Sequence, residues 1–205
     1  MNVPRLRFRE VDCQIFPEWD FLELEKIAFK VNSKNKDSAI SNVLTNSATQ
    51  GIVSQNDYFD RDIANKNNLD GYYIVELNDF VYNPRISTSA LVGPIKRNKL
   101  IKGVMSPLYT VFRFKDGNLF FLEQYFETTH WHDYIKSVAN FGARHDRMNI
   151  TNESLFNLPI PFPTIEEQTK IANFLTALDD KISQNQSQLN ALKQYKQGLL
   201  QQMFV

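Results

Sequence analysis

The segment that most constrains the fold is 165–204, which contains no proline and a single glycine, Gly198. Leucine, glutamine, lysine and alanine dominate it, and these residues favour the α-helix. Immediately before it, Thr164 and Glu167 have the spacing of a capping box, in which the Thr164 hydroxyl accepts from the Glu167 amide and the Glu167 carboxylate bonds back. The sequence therefore predicts one helix that begins at Ile165 and runs for about 60 Å, at about 1.5 Å per residue.

Apolar residues recur on this helix at positions a and d of one heptad frame, the pattern of a coiled coil. Two of these seam positions are polar, Asn185 and Lys196. This helix is much longer than the width of a small domain, so its own domain cannot cover the whole apolar seam. The pattern therefore predicts a partner helix, with Asn185 fixing register and partner number. The predicted interface consists of Leu175, Leu178, Ile182, Asn185, Leu189, Leu192, Leu199 and Met203.

Two other arrangements of this helix remain open from the sequence. It could fold back along its own domain, or it could bend into a helical hairpin. A hairpin needs a turn, yet no glycine or proline lies between Ile165 and Gln197. Pairing with a second helix is therefore the favoured prediction.

A proline-rich segment at 158–163 marks a domain boundary. Its three prolines stand at alternate positions, which forbids a helix and favours an extended chain. The predicted division is a lead-in segment at 1–16, a globular domain at 17–162 and the long helix segment at 163–205.

The globular part combines strand and helix patterns. Residues 72–77 and 109–114 are typical of strands, 115–118 predicts a hairpin turn into a strand at 119–122, and 126–140 predicts one or two short helices. The 16 phenylalanines and 8 tyrosines favour a strand-rich core. The predicted fold class is mixed α/β, of the α+β kind, followed by one long coiled-coil-type helix.

Charge is balanced over the chain, with 23 basic and 23 acidic residues, which counts against a simple electrostatic DNA-binding tail. Its distribution is uneven. Between Phe80 and Lys115 there are seven basic residues and no acidic one. This acid-free stretch predicts a phosphate-facing surface, although a solvated, lysine-rich loop would have the same composition.

Long polar connections, 31–54 and 83–102, exceed what packing needs, and such loops often carry recognition residues. A further connection, 141–149, carries Arg144, His145 and Arg147 around a glycine. Arginine can bond bidentately to guanine or to phosphate. Pairing of these arginines with Asp146 is the alternative.

Nothing in the sequence predicts catalysis by this chain. The single cysteine, Cys13, excludes an internal disulfide and a four-cysteine zinc site. His130 and His132 lie two residues apart, where helical side chains do not face each other, so no metal site is expected. Asn83-Pro84-Arg85 shares only two residues with an amino-methyltransferase loop, and neither phosphate-binding nor nucleophile-elbow motifs occur. Without an apolar leader or membrane-spanning run, a cytoplasmic location is predicted.

The helix junction resembles that of the specificity (S) subunits of type I restriction-modification systems. The similarity is strongest over 159–172, 174–175 and 178–182, and it continues at 195–204. Residues 5–19 are similar to the lead-in of a target-recognition domain, and 51–53, 79–83 and 142–149 match more weakly. The resembling subunits have two recognition domains and two spacer helices, so this chain is similar to a half-length form.

The resemblance implies a non-catalytic subunit that recognises double-stranded DNA. Two copies would pair their helices antiparallel and recognise a bipartite, inverted-repeat site. Modification subunits would use S-adenosylmethionine to methylate adenine, and a restriction subunit would use ATP, with Mg²⁺ also on these partners; this chain would bind no cofactor. The residues expected to contact DNA are Lys34, Lys36, Thr45, Ser47, Gln50, Arg85, Ser87, Thr88, Arg144, His145 and Arg147, with Lys96 and Lys99 as phosphate contacts.

Two other functions remain open from the sequence. One is a coiled-coil adaptor whose globular part binds protein. The other is a non-functional remnant of a split specificity gene. The adaptor would have no salt-sensitive affinity for DNA, and the remnant would not associate with a modification subunit.

Overall fold

Residues 4–10, 14–55, 69–140 and 146–204 are described by the structure, a computed structural model, with the side chain of Asp37 excepted. They form a strand-rich domain followed by one long helix, which confirms the predicted mixed fold class. In chain order the elements are β1 (Asp20–Glu23), α1 (Leu24–Ile27), β2 (Ala28–Lys30), a 3-10 turn (Lys36–Ser38), β3 (Leu44–Ser47), β4 (Gly51–Ser54), β5 (Tyr73–Val75), β6 (Phe80–Tyr82), β7 (Ile95–Arg97), β8 (Gly103–Met105), β9 (Thr110–Phe114), α2 (Leu119–Phe126), α3 (His132–Val138), α4 (Asn152–Phe156), β10 (Pro159–Phe162) and α5 (Ile165–Met203).

An antiparallel sheet with the strand order β2-β9-β6-β7 lies at the centre of the domain. Three two-stranded pairs surround it, β1-β10, β3-β4 and β5-β8. The proline-rich β10 pairs with β1 in antiparallel register. Because backbone N–H groups alternate in direction along a strand, prolines at alternate positions remove donors from one edge only. The other edge of β10 remains free to pair, so the predicted extended boundary segment is also part of the domain.

Both faces of the central sheet are buried. On one face the rings of Phe80 and Phe112 are 5.8 Å apart, and Phe126 and Trp131 extend this aromatic cluster. On the other face Val81 and Val111 pack with a smaller aliphatic cluster. The aromatic-rich composition therefore forms the main core, as the sequence predicts.

Residues 119–126 form a helix, so the predicted hairpin into a strand at 119–122 is wrong. Asn118 is the N-cap of α2, and its side-chain oxygen accepts from the amides of Phe120 at 3.0 Å and Phe121 at 3.2 Å. The hydrophobic pattern of Leu-Phe-Phe-Leu fits a strand and a helix equally well. The N-cap at Asn118 and the burial of Phe121, Leu122 and Phe126 favour the helix. The short helix predicted within 126–140 is confirmed as α3.

The long helix α5 is continuous over 39 residues, as predicted, and spans about 58 Å. Thr164 caps it by accepting from the Glu167 amide at 3.3 Å. The reciprocal half of the predicted capping box is wrong, because the Glu167 carboxylate instead accepts from Arg7 at 2.6 and 3.0 Å and from the Trp19 indole at 3.0 Å. The helix start is therefore joined to the lead-in segment.

The first turns of α5 are held by contacts on several sides. Gln168 is fully buried and accepts from the Asn118 amide at 2.8 Å. Lys170 donates to the Arg9 carbonyl at 2.6 Å, and Phe174 meets Phe8 edge-on at 5.6 Å. From residue 177 to residue 204, by contrast, every position is exposed. The helix therefore leaves the domain after about three turns.

We predict that Glu167→Gln lowers the free energy of unfolding by about 3 kcal/mol, since it leaves the Arg7 side chain, only 10% exposed, without its carboxylate partner. Urea unfolding followed by circular dichroism measures this change. The matched control is Glu166→Gln, which removes the same charge from an exposed position in the same helical turn. Equal effects of the two substitutions would contradict the prediction.

Candidate nucleic-acid interface

A polar cleft of about 650 Å³ lies where β3 faces the loops that follow β6 and β8. Its lining comes from segments that are far apart in the sequence and is rich in hydroxyl, amide and guanidinium groups. The polar lining residues are Thr45, Asn46, Ser47, Thr49, Gln55, Tyr72, Asn83, Arg85, Ser87, Ser89, Ser106, Tyr109 and Arg147. Five of the residues predicted to contact DNA are among them: Thr45, Ser47, Arg85, Ser87 and Arg147.

Strand alternation places the β3 residues of the cleft. Leu44 packs in the aliphatic core, whereas Thr45 and Ser47 lie on the opposite face of the strand. The Thr45 hydroxyl is 3.0 Å from the Tyr109 hydroxyl, and either can donate. Asn46 is buried and donates to the Val81 carbonyl at 2.7 Å. These bonds fix the strand, and hence the floor of the cleft, against the central sheet.

Asn83 shapes the loop that carries Arg85. Its side-chain oxygen accepts from the Arg85 amide at 3.0 Å, and its side-chain nitrogen donates to the Asn46 carbonyl, also at 3.0 Å. Gly93, with φ of 80°, allows the chain to pass so close that a Cβ there would collide with the Asn83 carbonyl oxygen. The loop is therefore held on both sides.

Arg85 and Arg147 are brought together by backbone pairing. The Ile86 amide donates to the Asp146 carbonyl at 3.0 Å and the Met148 amide to the Pro84 carbonyl at 2.9 Å, so the two arginines form an antiparallel bridge. Each guanidinium lies 3.8 Å from the Asp146 carboxylate. One carboxylate is thus shared by two guanidinium groups. Because the Arg85 side chain is 66% exposed, its ion pair contributes little to stability. Most of its N–H donors remain available to a ligand.

In the folded protein, most of the basic residues of the acid-free stretch lie beside carboxylates from other segments of the chain. These cations pair with carboxylates from outside the stretch: Lys96 with Glu127 at 2.6 Å, Arg97 with Glu123 at 3.4 Å, Lys99 with Glu123 at 2.8 Å, Lys102 with Glu76 at 2.7 Å and Arg113 with Asp79 at 2.6 Å. The hydrogen bond to the buried Asp79 also raises the pKa of Arg113. The charge asymmetry of the sequence therefore supplies ion pairs within the domain.

A second concavity, of about 380 Å³, holds Gln50, Lys96 and Lys99. Glu123 and Glu127 line it as well, together with a buried Arg97 whose Nε has no hydrogen-bond partner and whose Nη1 has only the 3.4 Å ion pair with Glu123. The two lysines predicted to contact phosphate thus lie together, beside carboxylates. A phosphate there would have to replace these carboxylates as the partner of each ammonium group.

Three other predicted residues, Lys34, Lys36 and Thr88, line neither concavity. Lys34 donates to the Gly71 carbonyl at 2.8 Å, with its ammonium group 3.5 Å from the centre of the Tyr73 ring. Lys36 is exposed at the start of the 3-10 turn, and Thr88 is exposed in the loop between Ser87 and Ser89. Arg144 and His145 lie outside the described residues.

Several cleft residues were not predicted from the sequence, notably Tyr72, Asn83 and Tyr109. The Asn-Pro pair at 83–84 is a turn signal, and it indicates the turn-forming role that the Asn83 side chain has in the structure. The two tyrosines follow the strand pattern, which does not separate a core ring from one that lines a cleft. A sequence signal therefore exists for Asn83 alone.

Other site types find no support among the residues that the structure describes. The described residues include no group of three histidine, cysteine, aspartate or glutamate side chains that could hold a metal ion. Burial lowers the pKa of His132, with a smaller contribution from Lys136 in the same direction. No described helix combines the length and the hydropathy that crossing a membrane requires.

Two solved structures share this fold. One is the crystal structure of the HsdS subunit from Thermoanaerobacter tengcongensis, with a TM-score of 0.56, and the other comes from work on complex assembly and conformational transition of the type I R-M system, with a TM-score of 0.59. Each is 15% identical over 91% of this chain and 48% of its own. The protein described here therefore spans about half the length of these two chains.

Among curated proteins, no sequence match was found. A family model, in contrast, covers the globular domain from β1 onward and most of α5. This model describes the type I restriction modification DNA specificity domain and matches residues 18–194. Because the match includes most of the chain, the protein belongs to the type I restriction-modification DNA specificity family.

Proposed function

We propose that this chain recognises a specific DNA sequence through the polar cleft, as a non-catalytic specificity subunit. The observation that carries the proposal is the gathering of Thr45, Ser47, Arg85, Ser87 and Arg147 in one concavity. Hydroxyl groups can donate to or accept from base edges, and arginine bonds bidentately to guanine. Their combination on strand β3 and on loops held by the central sheet suits the major groove of DNA.

Phosphate contacts are assigned to the second concavity, where Lys96 and Lys99 lie. Their ion pairs with Glu127 and Glu123 are partly exposed, and such pairs contribute about 0–1 kcal/mol. A DNA phosphate can therefore compete for these ammonium groups at low cost. Such contacts would set the orientation of the domain on the duplex, while the cleft residues would distinguish the bases.

Homodimerisation through α5 is the second part of the proposal. The seam residues Leu178 and Ile182 are 43% and 66% exposed, and the described residues of the domain do not cover the seam beyond this point. Uncovered apolar seams of this length are stabilised by a partner helix. Two copies with their helices antiparallel would place two identical domains on an inverted, bipartite DNA site.

The chemistry is assigned to partner subunits. Modification subunits would transfer the methyl group of S-adenosylmethionine to adenine, and a restriction subunit would use ATP and Mg²⁺. Membership of the DNA specificity family supports this division. The polar face of α5, opposite the seam, is the surface proposed for docking the modification subunits in the cytoplasm.

Both rival functions are kept as alternatives. The polar cleft with its two arginines favours a DNA-binding function over that of a coiled-coil adaptor for proteins. A remnant of a split gene would fold in the same way but would not associate with a modification subunit. Co-purification with that subunit separates these cases.

We predict that Arg85→Ala and Arg147→Ala each weaken binding to the target DNA by about 1–3 kcal/mol. The target is first identified by mapping the methylated adenines produced by the complex with its modification subunit. Fluorescence anisotropy over a range of salt concentrations then measures binding. A variant that has lost only a phosphate contact should lower the salt slope by about 0.9.

The matched controls are Lys26→Ala and Lys136→Ala. Each removes one exposed cation that lines neither concavity, so each should leave target affinity within about 0.5 kcal/mol of the unmodified protein. Equal losses for controls and cleft variants would show that net charge, and not the cleft, governs binding. Binding that is insensitive to salt would support the adaptor.

We predict that the unmodified protein has twice the chain mass by light scattering and that Leu178→Asp combined with Leu189→Asp produces monomer. Carboxylates placed in a buried seam would have no partners, which disfavours association. The matched control is Ser187→Asp with Gln194→Asp, on the opposite face of the exposed helix. A monomeric unmodified protein at micromolar concentration, or equal dissociation of both variants, contradicts the proposed dimer.

A further inference from the structure

The seam of α5 contains two polar residues, and their spacing determines how two copies can pair. Asn185 occupies a d position and Lys196 an a position of the same heptad frame. Residues 177–204 are all exposed, so neither has cover from the described part of the domain. The inference that follows rests on the proposed homodimer and concerns the register of its helices.

Parallel pairing in register places each seam residue opposite its own copy. The two Lys196 ammonium groups would then face each other within the seam, and so would the two Asn185 amides. Like charges in a buried layer are unfavourable because desolvation strengthens their repulsion. Lys196 thus disfavours the parallel arrangement.

In antiparallel pairing, an a position of one helix packs beside a d position of the other. Within the antiparallel homodimer proposed above, we infer the register that puts Asn185 of each copy beside Lys196 of its partner. In this register the remaining layers are wholly apolar: Leu178 meets Met203, Ile182 meets Leu199, and Leu189 meets Leu192. The amide oxygen of Asn185 can accept from the Lys196 ammonium group, so each polar residue has a partner.

Sliding by one heptad gives a less favourable seam. Lys196 would then pack beside Leu178, and Asn185 beside Leu189, which leaves both polar groups without partners in apolar layers. This shifted register does place Asp179 near Lys193, but an exposed ion pair contributes little. It also brings Met203 of one copy to Ile171 of the other, and Ile171 already packs against its own domain core.

The inferred register uses the part of the seam that the domain leaves uncovered. Its outermost layer pairs Leu178 with Met203, and these residues are 43% and 71% exposed. The two-fold axis then passes between Leu189 and Leu192. Leu178 of one copy lies about 38 Å along the helix axis from Leu178 of the other, since 25 residues separate Leu178 from Met203. The polar layers thus fix the separation of the two domains.

Disulfide trapping tests the register in the full chain, with Cys13→Ser removing the natural thiol. Ile182→Cys with Leu199→Cys should form an intermolecular crosslink on mild oxidation, seen as a dimer on non-reducing gels and mapped by mass spectrometry. Within one helix these positions are about 25 Å apart, so they cannot form an internal disulfide.

Two matched variants report the competing arrangements. Ile182→Cys with Leu192→Cys should crosslink only in the register shifted by one heptad, and Ile182→Cys alone only in a parallel dimer. A crosslink in either, without one in the Ile182 and Leu199 pair, overturns the inferred register while the homodimer stands. If light scattering finds only monomer for the unmodified protein, the proposed homodimer fails, and the register with it.

A charge exchange tests the polar layer itself. Asn185→Lys places like charges in two symmetric layers and should raise the dimer dissociation constant by about tenfold or more. Adding Lys196→Glu should restore association, because each new lysine then meets a glutamate. In a shifted or parallel dimer no such rescue occurs, so failure of the double variant to recover overturns the inference. Circular dichroism of both variants confirms that the helix remains formed.

Discussion

The buried carboxylate of Glu167 determines how the two parts of this protein are joined. Arg7 binds it with two donors and Trp19 with a third, although these residues lie 160 and 148 positions away in the chain. Burying a carboxylate is unfavourable unless such bonds compensate, and here they do. The first turn of α5 is thereby held to the domain and to the lead-in segment, so the direction in which the free part of the helix extends is fixed.

With the helix direction fixed, the polar cleft keeps a constant relation to the exposed seam. The cleft is built on one face of β3 and on loops that Asn83 and Gly93 hold against the sheet. Rigid support of this kind suits recognition of a DNA sequence, since loose side chains would lose binding free energy on ordering. Most cations of the acid-free stretch pair with carboxylates of the domain, so a DNA phosphate at Lys96 or Lys99 would have to displace a carboxylate.

In the proposed dimer, the paired α5 helices would position two copies of the domain on DNA. One copy supplies one set of the polar cleft residues, and a two-fold axis across α5 would supply an identical second set. With Asn185 and Lys196 in it, the seam buries less apolar surface than a seam of apolar residues would. The same two residues make the alternative registers less favourable. The distance between the two clefts would then follow from the helix, and the bases recognised from the loops.

The sequence by itself determined the long helix, its start at Ile165, its seam, the aromatic strand-rich core and the family resemblance, because periodicity, capping and composition act over short distances. It did not determine whether 119–122 is strand or helix, since that run has no distinguishing period and packing of Phe121 and Leu122 decided it. Only the tertiary structure showed the partners of Glu167, the ion pairs of the acid-free stretch and the convergence of Thr45, Arg85 and Arg147. All of these join segments distant in the chain, and no local pattern encodes which segments meet.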